Sequence, residues 1–223
     1  MCVGARAGGL PNVGSLLRML CMQYVHDSEG WFSGARRCPS PNFNARPVGV
    51  DPELVVVHGI SLPPGCYGSG DVEALFCNRL DPSGHPYYAQ LDGLRVSAHF
   101  FIERSGALTQ FISCDDRAWH AGVSQWRWRT DCNDFSIGIE LEGVDVHGYE
   151  NTQYQTLSWL LVGLFCEYPR LSIEAVVGHS DIAPGRKTDP GPAINWALLR
   201  RLLRIRFRPG ESARPLNNSS SNR

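Results

Sequence analysis

The chain has 223 residues, 43% of them hydrophobic and 19% charged, with a formal net charge of −1. Those values suit one globular unit with a sizeable core. They give no basic excess that would call for nucleic acid or an anionic membrane, and no apolar run reaches the roughly 18 to 20 residues that span a bilayer.

The first stretch, "MCVGARAGGLPNVGSLLRMLCMQ", has no continuous apolar segment. Gly, Pro and Asn interrupt it, and Arg18 splits "LLRML". It reads as an unexported start, which implies a cytoplasmic protein with reduced thiols, most of them small core residues. Eight cysteines, at 2, 21, 38, 66, 77, 114, 132 and 166, include no C-x-x-C pair, so zinc-finger and redox motifs have no spacing to stand on. Residues 1–29 read as a poorly ordered extension, with Met22 as an alternative start.

Residues 31–52 are rich in turn formers and read as an extended arm. "ELVVVHGI" (53–60) is an apolar, β-branched strand. A loop follows, then a short helix over 71–80 with Asp71 as its N-cap. Residues 81–93 form another loop. "LRVSAHFFIERSG" (94–106) and "ALTQFISC" (107–114) read as two strands of a hairpin turning at Ser105-Gly106. Residues 117–134 are irregular and dense in tryptophan. "FSIGIELEG" (135–143) is a strand. Tyr154, Leu157, Leu160, Leu161 and Leu164 follow helical spacing over 152–167, and Pro169 stops that helix. "SIEAVVGH" (172–179) is a last strand, "INWALLRRLLRIRF" (194–207) an amphipathic helix, and 208–223 a disordered tail. One unit over 30–207 results, with no internal repeat: an α/β or α+β sheet packed by two or three helices.

Alternation places Val55 and Val57 on one face of the first long strand, and Val56, His58 and Ile60 on the other. His58 thus lies where a strand gives way to a loop. His179 stands in the same situation after "AVVG", and Asp189 follows ten residues later. Two imidazoles and one carboxylate with an open fourth position are the ligand set of a catalytic zinc site. Strand-capping histidines are the plainer alternative. In 135–143, Ile137, Ile139 and Leu141 take the core face, while Ser136, Gly138, Glu140 and Glu142 share the other, the small Gly138 leaving room beside Glu140. A carboxylate at mid-strand is costly without a role or a partner. Glu140 is therefore preferred as a general base over a buried ion pair, and Glu142 is read as solvated. Lys187, two residues before Asp189, is placed to stabilise an oxyanion, with a surface lysine as the alternative.

"VVVHGISLPPG", "HPYY", "VSAHFFIERSG", "DDRAWHAGVS", "CNDFSIGIELEG" and "GHSDIAPGRKTDPGP" together resemble the AmpD family of cytosolic anhydro-muramyl-L-alanine amidases. That family belongs to a wider zinc amidase group with phage T7 lysozyme and the peptidoglycan recognition proteins. The resemblance covers about residues 30 to 200. It implies a central mixed β-sheet flanked by helices, with one zinc ion (Zn2+) per chain held by His58, His179 and Asp189. It implies Glu140 as proton acceptor and Lys187 as transition-state stabiliser. Tyr87 and Trp119 would line a sugar site, and Arg95, which alternates with Ser97 and His99 on one polar strand face, would reach a peptide carboxylate. The substrate would be an anhydro-muropeptide, cut between the muramic acid lactyl group and L-alanine. No nucleic acid, membrane or obligate protein partner is implied. His99 and His120 are read as hydrogen-bonding histidines. Two positions depart from the family pattern: Gly59 where Asn is usual, which loosens support of the ligand loop, and Asp131, near Arg127 and Arg129, where relatives carry an arginine or small residue. A non-catalytic muropeptide-binding module and an exported peptidoglycan amidase are the rival readings.

Overall fold

The computed structural model describes residues 26–207. The expectations for residues 1–25 and for the 208–223 tail lie outside the described residues. In chain order the elements are β1 (Arg36–Arg37), β2 (Phe43–Ala45), β3 (Leu54–Ile60), α1 (Asp71–Phe76), β4 (Phe100–Ile102), β5 (Leu108–Gln110), β6 (Asp116–Ala118), β7 (Gln125–Trp126), β8 (Arg129–Thr130), β9 (Ser136–Glu142), α2 (Asn151–Glu167), β10 (Val176–Gly178), α3 (His179–Ile182) and α4 (Trp196–Arg206).

Six strands form one mixed sheet in the order β1-β5-β4-β9-β3-β10. Only the β4–β5 hairpin is antiparallel; its turn ends on Gly106, whose φ of +87° suits a residue without a Cβ. The β-branched runs take the centre. β3 and β9 pair in parallel over their whole length, and every residue of β9 is buried, as expected of a strand covered on both faces.

One face is a continuous core. Val55, Val57, Ile137, Ile139 and Leu141 pack against Leu157, Leu160, Leu161 and Leu164 of α2, joined by Leu199 and Leu203 of α4. Gln153 is fully buried on α2 and donates to the carbonyls of Ile102 and Glu142, tying the helix to β4 and β9. The other face carries two smaller clusters, one around Phe76, Phe101 and Phe111, the other around Val56, Phe135 and Ile182. His58, Gly138 and Glu140 belong to this second face by alternation.

Several local expectations change. α1 ends at Phe76, and its N-cap is Gly70, not Asp71; the Asp71 carboxylate instead accepts the Tyr88 hydroxyl at 2.7 Å. The 94–106 strand shrinks to 100–102, the three residues that pair with β5 on one side and β9 on the other. Ser97 N–H goes to the Trp119 carbonyl. Arg95 is exposed while Ser97 and His99 are buried, so the three share no polar strand face. Inside 117–134 lie the short β7–β8 hairpin and part of β6. The last strand covers only Val176–Gly178, and His179 opens the single turn of α3. No disulfide forms among the described residues, and of the described cysteines only Cys114 and Cys132 are buried.

Candidate active site

Parallel register sets His58 directly beside Glu140 on neighbouring strands. β10 pairs with the other edge of β3, Gly178 opposite Val57, so His179 emerges next to His58. The chain returns to the same place at Asp189, whose carbonyl accepts Ser180 N–H at 2.9 Å. The three side chains meet: His58 Nδ1 to His179 Nδ1 is 2.9 Å, His58 Nδ1 to Asp189 Oδ2 3.2 Å, and His179 Nδ1 to Asp189 Oδ2 3.0 Å. His58 and His179 are buried, and Asp189 is partly so.

The donor set fits a metal ion. His179 Nε2 lies 3.1 Å from the Ala121 carbonyl, which can only accept, so Nε2 carries the proton and Nδ1 presents a lone pair. His58 Nε2 faces His120 Nδ1 at 2.9 Å, and His120 Nε2 faces Ser136 Oγ at 3.1 Å. The Ser136 hydroxyl donates to the Cys132 carbonyl. Read outward from that carbonyl, each proton points away from the site, and His58 Nδ1 is also left with a lone pair. Three electron-pair donors then converge with no proton to share between them. Bonds of about 2.0 to 2.1 Å to a tetrahedral zinc would separate ligand atoms by roughly 3.3 Å, close to the triangle observed. Burial, its largest cause, pushes the His58 pKa down to about 4, which keeps the ring neutral.

Glu140 is 8% exposed, and its buried Oε2 receives no hydrogen bond from the protein. Burial, then the Asp189 charge, push its pKa well above the usual value, while Lys187 pulls the other way. A cation held by the three ligands would act in the same sense as Lys187. Gly138 does not serve Glu140 as expected. It makes room for His120, whose ring a Cβ at 138 would meet at 2.5 Å. Glu142 corrects the sequence reading: it is buried and accepts the N–H groups of Gly68 and Arg104.

A groove of about 830 Å³ is lined by all eight residues singled out in the sequence: His58, Tyr87, Arg95, Trp119, Glu140, His179, Lys187 and Asp189. Tyr87 is presented by a 3₁₀ turn over Pro86–Leu91. The Trp119 indole donates to Asn44 Oδ1 at 2.7 Å, which fixes the ring. Lys187 and Arg95 are exposed at the groove wall. Arg127, Arg129 and Asp131 do not line it; Arg129 instead bonds Glu53 at 2.8 Å. His99 and His120 are hydrogen-bonding histidines, as read. Sequence reasoning missed Asn133, whose Oδ1 accepts the N–H groups of His120 and Ala121, and Tyr149, considered below. Neither sits in a periodic segment that would mark it.

The family model described as N-acetylmuramoyl-L-alanine amidase matches residues 48–192. The chain is 52% identical over 175 residues to 1,6-anhydro-N-acetylmuramyl-L-alanine amidase AmpD of Escherichia coli K12, covering 78% of this chain and 95% of that protein. The crystal structure of a selenomethionine AmpD derivative superposes with a TM-score of 0.78 at 50% identity, over 80% of this chain and 99% of that one. The E. coli amidase AmiD, solved with the substrate anhydro-N-acetylmuramic acid-L-Ala-D-γ-Glu-L-Lys, is 28% identical, with a TM-score of 0.51 over 81% of this chain and 66% of that one. With its mixed sheet, its convergent His-His-Asp group and these relatives, the chain belongs to the N-acetylmuramoyl-L-alanine amidase family.

Proposed function

We propose that this chain is a zinc amidase of peptidoglycan recycling. It hydrolyses the amide between the lactyl group of (1,6-anhydro-)N-acetylmuramic acid and L-alanine in muropeptides, in the cytoplasm. The observation that carries the reading is the 2.9 to 3.2 Å triangle of His58, His179 and Asp189 ligand atoms, on the same sheet face as Glu140. The three hold one zinc per chain. Zinc there supplies a Lewis acid that acidifies water and polarises the amide carbonyl.

The remaining work belongs to the side chains. Glu140, at Oε2, accepts the proton of the attacking water and returns it to the departing amine nitrogen. Its buried site raises its basicity to suit both transfers. The Lys187 ammonium faces the developing oxyanion from the groove wall. Tyr87 and Trp119 flank the sugar, and Arg95 meets a peptide carboxylate. Residues 30–207 suffice as one catalytic unit, with no obligate protein partner.

The test offers purified protein either anhydro-muropeptide or polymeric cell wall, with and without chelator. Free peptide is expected from the muropeptide, abolished by chelator and restored by zinc. Binding without release would make the chain a recognition module. Preferential release from polymer would make it a wall-trimming amidase.

A further inference from the structure

Gly59 and Gly143 stand at the ends of adjacent strands, with Gly143 N–H bonded to the Ile60 carbonyl at 2.9 Å. Both make way for the same side chain. A methyl at 59 would run into the Tyr149 hydroxyl, and one at 143 would meet its ring carbon Cε1 at 2.5 Å. The two glycines clear a slot, and one buried phenol fills it. From there the Tyr149 hydroxyl donates to the Pro190 carbonyl at 2.9 Å. Pro190 directly follows Asp189.

The turn at 188–191 is held in few places. Ser180 N–H binds the Asp189 carbonyl, Gly191 N–H binds the Thr188 carbonyl, and the Tyr149 hydroxyl binds the Pro190 carbonyl. Tyr149 has no part in the proton transfers of the reaction. We infer that Tyr149 is a positioning residue for the Asp189 ligand, and that Gly59 provides the space its hydroxyl occupies. The inference rests on the zinc reading above. Outer partners that orient metal ligands are worth about 10- to 100-fold in metal affinity.

A double-mutant cycle tests it: Tyr149→Phe, Gly59→Ala and the pair, each read by zinc affinity in competition with a chromophoric chelator. The thermal midpoint of each metal-free protein serves as control. Tyr149→Phe keeps the ring in its slot and is expected to weaken zinc about 10- to 100-fold with little change in the metal-free midpoint. Gly59→Ala is expected to weaken zinc comparably, because its methyl displaces the hydroxyl. In the double variant the methyl has room, since the nearest ring carbon, Cζ, lies 3.6 Å from it. The pair should therefore bind zinc no worse than Tyr149→Phe alone. Unchanged affinity in Tyr149→Phe, a loss confined to the metal-free midpoint, or effects of the two substitutions that multiply, would each overturn the inference while leaving the zinc reading intact. A wild-type protein that binds no zinc would overturn both.

Discussion

In the proposed reaction Glu140 and Lys187 divide the work that the metal ligands do not do, and each can be removed separately. Glu140→Gln keeps the size of the side chain and a hydrogen-bonding oxygen but loses the base. Turnover should fall about 10²- to 10⁴-fold with zinc content and thermal midpoint unchanged; near-native turnover would move the base to another group. Lys187→Ala should cost roughly 10²- to 10³-fold in kcat, as loss of one oxyanion donor does. His99 gives a prediction for pH. It is fully buried, its Nδ1 accepts Gly138 N–H, and its Nε2 faces the Asp116 carbonyl, an arrangement only the neutral ring satisfies. Burial, then the Arg46 charge, push its pKa down to about 3. The unfolded chain takes up this proton near pH 6.5 and the folded one only near 3, so stability is lost as pH falls through that window. By pH 5 the loss from His99 alone is about 2 kcal/mol. His99→Gln should flatten the slope of unfolding free energy against pH between 7 and 5; an unchanged slope would contradict the assignment. At this scale the sequence was legible where alternation could be read. His58 and Glu140 fell on one face by counting residues. Glu142 was misjudged because its partners, the N–H groups of Gly68 and Arg104, come from loops that no local pattern places beside β9.

The long elements were legible because their periods had room to repeat. β3, β9 and α2 lie within one or two residues of the expected bounds. The parallel pairing of β3 with β9 was not, since no local spacing encodes which strands are neighbours. The failures are all short. β4 has three residues and β10 three, too few for a period, and their extent is set by which neighbour offers hydrogen bonds. α2 owes its place to burial of its leucine face against the sheet. Leu160, fully buried there, should cost about 2 to 5 kcal/mol of stability when replaced by alanine. Chemical denaturation measures this directly. Zinc affinity of the folded variant should not change, because α2 packs on the sheet face opposite His58.

The whole molecule is a sheet with two unlike faces. One is sealed by α2 and α4. The other collects strand ends and loops into a groove where the three ligand atoms converge, 121 and 131 residues apart along the chain. That separation is why the ligand set could be nominated from the sequence but its convergence could not. Zinc bound by such a group stabilises only the folded state. At a free concentration about a thousandfold above Kd the gain is about 4 kcal/mol, so chelation should lower Tm by roughly 8 to 16 °C. The most direct measurement is X-ray absorption at the zinc edge of the purified protein. Nitrogen and oxygen neighbours at about 2.0 to 2.1 Å, with an imidazole signature and no sulfur, are the predicted result. A shell of sulfur at about 2.3 Å would place the metal on cysteines and contradict the account.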